Sequence, residues 1–224
     1  TFKAGDALYR AFECRTVDTL LAFGSNGRVY SVPVAGLPGA RGDGQPVLTL
    51  IELEAGTQLL HYFAGPSQAQ LLLSGSGGYG FIAHVGDMIS RQRGGKAFIT
   101  CNAGETVCAP SSIGGTNGSV PVPEATHIAC ASTGGRLLTF PIGELRTMPN
   151  GGRGLMLMSL EDKDVLIGAA AYTRSIRVQG TGRGGKPREE TLEIRSLNNA
   201  AAARGRKGKA ADWGFKPQRI RRIE

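Results

Sequence analysis

Leu20-Leu21-Ala22-Phe23-Gly24-Ser25-Asn26-Gly27-Arg28-Val29-Tyr30-Ser31-Val32 reads as two short apolar strands joined by an Asn-Gly turn. Such a turn needs positive φ at both central residues, which Asn and Gly adopt at least cost, and it is the strongest short hairpin signal a sequence carries. The arrangement recurs with drift. Gln70 to Ser74 and Gly80 to Val85 flank Gly77-Gly78, and Ile128 to Ala131 and Leu137 to Phe140 flank Gly134-Gly135. A fourth hairpin is expected from residues 164–168 and 175–178, turning near Ala171-Tyr172-Thr173 without glycines.

Two further markers travel with the hairpins. Ala-Gly plus a polar residue stands at Ala4-Gly5-Asp6, Ala55-Gly56-Thr57 and Ala103-Gly104-Glu105. Gly/Arg/Lys loops stand at Arg41-Gly42-Asp43-Gly44, Arg93-Gly94-Gly95-Lys96, Gly151-Gly152-Arg153-Gly154 and Arg183-Gly184-Gly185-Lys186. The period is about fifty residues, that of a propeller blade. Strands are expected directly after basic loops, over residues 47–53, 97–101, 155–160 and 191–195. Ser196 is expected to cap a short helix from Leu197 to Arg204, ended by Gly205. Residues 111–123 read as a surface loop. Residues 218–223 read as a last strand lying beside the incomplete first unit, which closes the ring and removes open edges.

A chain of 224 residues is long enough for one all-β domain with a substantial core. No apolar run approaches the roughly twenty residues that span a bilayer, and no signal peptide opens the chain. Thr1 stands in place of an initiator Met and the chain begins inside a repeat, so the sequence reads as a piece of a longer protein. Cys14, Cys101, Cys108 and Cys130 form no CxxC pair, and His61, His84 and His127 lack zinc-ligand spacing. Cys130, in an apolar strand, reads as a buried reduced thiol, which fits a reducing cytoplasm.

Gly75-Ser76-Gly77-Gly78-Tyr79-Gly80 spells a dinucleotide fingerprint, yet a strand follows where a helix N-terminus is required. Gly94-Gly95-Lys96 lacks the hydroxyl that would hold magnesium, since Ala97 stands there. No Ser/His/Asp set, carboxylate pair or Cys/His dyad stands out, so an enzymatic reading has no residues to rest on.

Charge is what remains. The net +8 is uneven, with eight basic and two acidic residues from Arg204 to Glu224. In the body, basic residues recur at corresponding places in the repeat. Glycine lets a backbone approach a phosphate and Arg bridges two oxygens. The pattern points to sequence-independent, salt-sensitive binding of a long polyanion. A protein-interaction propeller with incidental charge is the competing reading. RNA binding through Gly-Arg loops fits less well, because these loops sit singly between strands.

The Phe2-Lys3-Ala4-Gly5-Asp6 opening, Gly24 to Tyr30, Leu37-Pro38-Gly39-Ala40-Arg41-Gly42, Gly78-Tyr79-Gly80-Phe81 and Arg91-Gln92-Arg93-Gly94-Gly95-Lys96-Ala97 carry a resemblance. So does the ending, Arg204-Gly205-Arg206-Lys207-Gly208 with Gln218-Arg219-Ile220. Together they resemble the C-terminal domain of the A-subunit of bacterial DNA topoisomerase IV, in the gyrase A/topoisomerase IV A family. Gyrase carries a Q-R-R-G-G-K-G box in its first blade. The match here departs at both ends and lies in a later blade, favouring topoisomerase IV.

The resemblance implies an all-β fold, a β-pinwheel of about five four-stranded blades with the first incomplete. Residues 1–224 would form one domain, with 196–224 its helix, basic segment and closing strand. It implies that duplex DNA bends around a basic rim, through Arg28, Arg41, Arg91, Arg93, Lys96, Arg136, Arg153, Arg174, Arg183 and Lys186. Arg204, Arg206 and Lys207 would add affinity or simply keep the closing segment soluble. No catalytic residue, metal or cofactor is expected in this chain, ATP and magnesium belonging to the rest of the holoenzyme. The implied partners are double-stranded DNA, the remaining topoisomerase IV domains and chains in an A2B2 assembly, and a chromosome-organising protein. The isolated domain is expected to be a monomer in the bacterial cytoplasm, at the nucleoid and away from membranes.

Overall fold

A computed structural model describes residues 7–39, 42, 44–117 and 120–223. In chain order the strands are β1 (Thr19–Gly24), β2 (Arg28–Pro33), β3 (Leu59–Gly65), β4 (Gln70–Ser74) and β5 (Tyr79–His84). A helical turn α1 (Val85–Met88) leads to β6 (Lys96–Ala97), β7 (Ser111–Ser112), β8 (Gly115–Asn117) and β9 (Val120–Val122). Then come β10 (His127–Ser132), β11 (Arg136–Pro141), β12 (Leu155–Met156), β13 (Leu166–Tyr172), β14 (Ser175–Thr181) and β15 (Pro187–Glu193). The helix α2 (Ile194–Asn199), β16 (Lys209–Ala210) and β17 (Lys216–Arg222) complete the order.

Among the described residues these strands make four blade-like sheets, where about five were expected. Blade 1 is β3-β1-β2-β6, blade 2 is β7-β4-β5-β12, blade 3 is β13-β10-β11-β16 and blade 4 is β17-β14-β15. One rule generates them. A hairpin forms the middle of each sheet, and the strand after the next turn pairs with its first arm. In blades 1–3 the second arm then receives a two-residue strand from the chain beyond the next blade's hairpin.

Three sets of backbone hydrogen bonds repeat this rule. The hairpin turn donates through Ser25, Ser76 and Thr133 to the carbonyls of Gln58, Thr106 and Val165. The turn glycines Gly27, Gly78 and Gly135 accept from Phe98, Leu157 and Ala211, the residues that directly follow the donated strands. Glu52, Thr100 and Ser159 donate to the carbonyls of Arg93, Gly152 and Arg206 in the loops leading to those strands.

Most strands are apolar without alternation because blades stack on both their faces. In β4, Leu71 and Leu73 pack towards blade 1 with Phe23 and Phe81, while Leu72 packs towards blade 3 with Ile128 and Leu138. Each fully buried side chain of this size stabilises the fold by about 1.5–3 kcal/mol. Blade 4 differs. In β14, Ile176 and Val178 are fully buried against Trp213 and Leu197, whereas Arg177, Gln179 and Thr181 on the other face are part-exposed. Cys130 is buried and unpaired with its thiol pushed well up by burial, and Cys108 is pushed up to about 12 for the same reason.

Several expectations are corrected. Residues 164–168 and 175–178 do not form a hairpin: β13 pairs with β10 and β14 pairs with β15. The true fourth hairpin turns at Arg183-Gly184-Gly185-Lys186, where the Gly182 amide donates to the Lys186 carbonyl. The last strand pairs with β14 and, among the described residues, with no strand of the first unit. The helix starts earlier, after Glu193, and ends by Asn199, so Ser196 lies inside it and caps nothing. Residues 47–53 contain a 3-10 turn in place of a strand, with Ile51 covering Tyr30 and Val32. The strands expected at 97–101 and 155–160 shrink to two residues each. Residues 111–123 hold β7 and the β8–β9 hairpin.

The Ala-Gly-polar unit has a third described member invisible to its own pattern. Glu54-Ala55-Gly56-Thr57, Asn102-Ala103-Gly104-Glu105 and Glu161-Asp162-Lys163-Asp164 close the same turn, the fourth amide donating to the first carbonyl. Gly56 and Gly104 have φ of 78° and 81°, and Lys163 takes their place at φ 63°. A left-handed conformation costs a side-chain-bearing residue about 1–2 kcal/mol, partly offset by the greater unfolded-state freedom of glycine. Lys163→Gly is therefore expected to stabilise the protein by about 0.5–1 kcal/mol, read as a higher urea midpoint. Gly154, at φ 82° with the Gly80 carbonyl where a Cβ would stand, has the opposite sign. Gly154→Ala is expected to lower stability by about 2–4 kcal/mol.

Candidate nucleic-acid interface

The donated strands β6, β12 and β16 occupy one edge of their sheets. On the opposite edge, β13 packs against β7 and β17, which places that side towards the middle of the ring. The donated strands thus lie outward, and the loops entering them arrive at the rim. These loops are 91–95, 150–154 and 204–208. The shared backbone register makes Arg93, Gly152 and Arg206 equivalent, and with them Arg91, Asn150 and Arg204. The segment 204–208 is therefore the third member of the set, although it reads as a tail. Arg183 and Lys186 belong instead to the hairpin turn of blade 4.

A carboxylate accompanies each of the first three hairpin turns, and it engages the nearest cation. Glu54 accepts from Asn26 Nδ2 at 2.8 Å and lies 3.7 Å from Arg28 Nε. Arg28 also donates to the carbonyls of Gly94 and Gly95, both at 3.1 Å, and so shapes the loop before β6. Glu105 receives both terminal nitrogens of Arg153, at 2.8 and 2.9 Å, and the guanidinium stacks 4.2 Å from the Tyr79 ring centroid. Glu161 holds Arg136 at 3.1 Å and Lys207 at 3.4 Å. Arg28, Arg136, Arg153 and Lys207 thereby join blade to loop before they could meet any phosphate. Sequence reasoning missed these acids, although the polar end of the Ala-Gly unit marked Glu105.

The other predicted residues divide differently. Arg93 is exposed and donates to the Thr49 and Leu50 carbonyls at 2.9 and 3.3 Å, which orients it without neutralising its charge. Lys96 is half-buried over the Phe98 ring, 5.3 Å from its centroid. Arg204 donates to the Met156 carbonyl at 2.6 Å. Arg91, Arg183, Lys186 and Arg206 are exposed and, among the described residues, have no carboxylate partner. Arg174 is exposed on the connection between blades 3 and 4. Arg41 lies outside the described residues. Groups of three or more His, Cys, Asp or Glu that could hold a metal are absent from the described residues.

Asp164 anchors the third turn, accepting from Ser132 Oγ at 2.6 Å, Thr133 Oγ1 and the Gly134 amide at 2.7 Å, and the Val165 amide at 2.9 Å. Burial acts to raise its pKa, and these four donors outweigh it and hold the carboxyl below its ordinary value. The Arg153 hydrogen bonds likewise hold Glu105 low.

Comparison with known proteins gives a consistent result. The family described as "DNA gyrase C-terminal domain, beta-propeller" matches residues 18–53 and 126–172, the hairpins of blades 1 and 3 with their flanks. The DNA topoisomerase 4 A-subunit of Neisseria gonorrhoeae is 39% identical over 184 residues, 82% of this chain and 23% of that protein. Its counterpart in Escherichia coli K12 is 29% identical over 212 residues, 92% of this chain and 27% of that protein. The chain thus spans about a quarter of these relatives' length. Among solved structures, the E. coli ParC C-terminal domain superposes with a TM-score of 0.79 at 25% identity, covering 98% of this chain and 87% of that one. A DNA gyrase A C-terminal domain gives a TM-score of 0.65 at 18% identity over 91% of this chain and 64% of that one, a likeness of fold.

Carboxylates with depressed folded-state pKa values stabilise the fold above the ordinary carboxylate range. That stability is lost as pH falls through the range towards the lowered folded values. Asp164→Asn faces four donors with one acceptor oxygen. It is expected to cost about 1–3 kcal/mol at neutral pH, and clearly less below the carboxylate range, as read from urea midpoints at the two conditions.

Proposed function

The chain belongs to the family of gyrase A and topoisomerase IV A C-terminal domains, and from that premise we propose that it binds and bends duplex DNA without sequence preference. Within the longer topoisomerase chain that its relatives represent, it is the non-catalytic part that captures and orients the DNA segment to be transported. It thereby directs unlinking and supercoil relaxation by an A2B2 assembly, in which the catalytic and ATP-hydrolysing parts lie outside this chain. The observation that carries this reading is the equivalence of Arg91 with Arg204 and of Arg93 with Arg206 on rim loops. Arg91, Arg93 and Arg206 meet no carboxylate among the described residues, and Arg183 and Lys186 add two more exposed cations on blade 4. Backbone contacts of this kind fix position and give affinity without reading bases. A protein that works on DNA in this way belongs in the bacterial cytoplasm, at the nucleoid.

The greater structural likeness to the ParC domain favours bending and capture over a tight chiral wrap. Ligation of a nicked plasmid in rising concentrations of the protein is accordingly expected to leave the linking number unchanged, while a shift would favour gyrase-like wrapping. Arg91→Ala with Arg93→Ala is expected to lower affinity for short duplex DNA. The log-log salt slope should flatten by about one to two, with the thermal midpoint retained. Unchanged affinity and slope would move the reading to a protein-interaction propeller.

A further inference from the structure

One side of the blade 4 sheet carries polar side chains that are part-exposed on β14 and mostly exposed on β17. Strand alternation sends Ile176, Val178 and Ile220 into the core and Arg177, Arg219 and Arg221 to the opposite side. Arg177 lies directly across from Arg221, and Gln179 across from Arg219. Neighbouring strands are about 4.8 Å apart and alternate residues about 6.8 Å, so three guanidiniums share one small area. A fourth comes from far along the chain. Arg10 is held below its ordinary value, first by burial and then by the positive charges of Arg219 and Arg221, and its guanidinium lies 5.2 Å from the Phe12 ring centroid.

Few acids neutralise this group. Glu189 lies 3.3 Å from Arg177 and also accepts from Gln179 Nε2 at 3.0 Å. Arg177 Nε is buried with no hydrogen-bond partner, a donor that ordinarily finds an acceptor. The field of the cluster crosses to blade 1, where His61 on β3 is pushed down by burial and by Arg219. The cations thus gather where the first and last blades approach, away from the outward edge that carries the loops 91–95 and 204–208. A shallow groove lined by Gln179, Thr181, Arg188, Glu189, Gln218 and Arg219 adjoins them and adds amide donors beside the one carboxylate.

We propose that Arg10, Arg177, Arg219 and Arg221 form a second phosphate-backbone contact for duplex DNA, on the arginine-bearing face of blade 4 and separate from the rim loops. Guanidinium forks pair with phosphate oxygens two at a time. The spacing along β17 lets Arg219 and Arg221 address successive phosphates of one strand. An approaching phosphate also relieves the mutual repulsion of like charges that the folded chain holds together. None of these contacts reads a base, in keeping with sequence-independent binding. The inference rests on the DNA-binding reading above and adds a place to it.

The test compares wild type, R219Q/R221Q and R91A/R93A by anisotropy with short duplex DNA across a salt series. Side-chain Nε–H resonances of the arginines are followed in the same titrations. R219Q/R221Q is expected to flatten the salt slope by about two with an unchanged thermal midpoint, and R219K/R221K to restore it. The Arg219 and Arg221 resonances should move with duplex in wild type and still move in R91A/R93A. A wild-type slope in R219Q/R221Q beside a flattened one in R91A/R93A would overturn this site and leave the rim standing. Resonances that move with polyglutamate and stay still with duplex would overturn it in favour of an acidic polypeptide. Absence of duplex binding by wild type would remove both readings together. Should the double Gln variant fail to fold, R221Q alone is expected to flatten the slope by about one, and no change would overturn the site.

Discussion

The arms β2, β5 and β11 cannot satisfy their outward backbone groups with residues of their own blade, and the architecture follows from how that need is met. Each receives a strand of only two residues from the chain beyond the next hairpin. Unpaired sheet edges invite pairing with other chains, so the exchange protects the edge and ties consecutive blades together. It also dictates the loop chemistry. Gly95, Gly154 and Gly208 all have positive φ and stand where a Cβ would meet the carbonyl of Val29, Gly80 or Leu137. The glycines that give the loops their nucleic-acid-binding look are first a requirement of strand exchange.

Once these loops are fixed, their charges follow two fates. Glu54, Glu105 and Glu161 draw in Arg28, Arg153, Arg136 and Lys207, and with them seam turn to loop. Exposed pairs of this sort contribute about 0–1 kcal/mol each, small beside the apolar layers between blades. The Arg153–Glu105 pair, bidentate and stacked on Tyr79, is the best ordered of them. Cations one or two places along the same loops meet no acid and keep their full field. A single repeat unit thus supplies both the seam and the exposed charge, and one residue of register decides which side chain does which.

Blade 4 departs from the rule in a way that exposes its chemistry. Its hairpin arm β15 receives no donated strand among the described residues, and one face of its sheet carries part-exposed and exposed polar side chains. The strand that would be apolar on both sides elsewhere here alternates, as Ser175-Ile176-Arg177-Val178-Gln179-Gly180-Thr181. The contrast with Ile128-Ala129-Cys130-Ala131 is the local record of burial on one side against burial on two.

The sequence by itself determined the all-β class, the three glycine hairpins, the fifty-residue period and the family, because turn chemistry and apolar runs are local. It also marked the dinucleotide-like glycines as turn residues, for a strand follows them. Tertiary structure alone decided which strands share a sheet. The apparent fourth hairpin was divided between two blades, since β13 finds its partner in β10 and β14 finds its own in β15. The donated strands were invisible as strands, two residues being too few to show a period. It also decided which cations are free. Arg153 and Arg206 read alike in the sequence, and only the three-dimensional register puts one against Glu105 and the other into solvent. Charge compensation acts through space between residues 25 to 48 apart in the chain, and nothing in a local pattern encodes it.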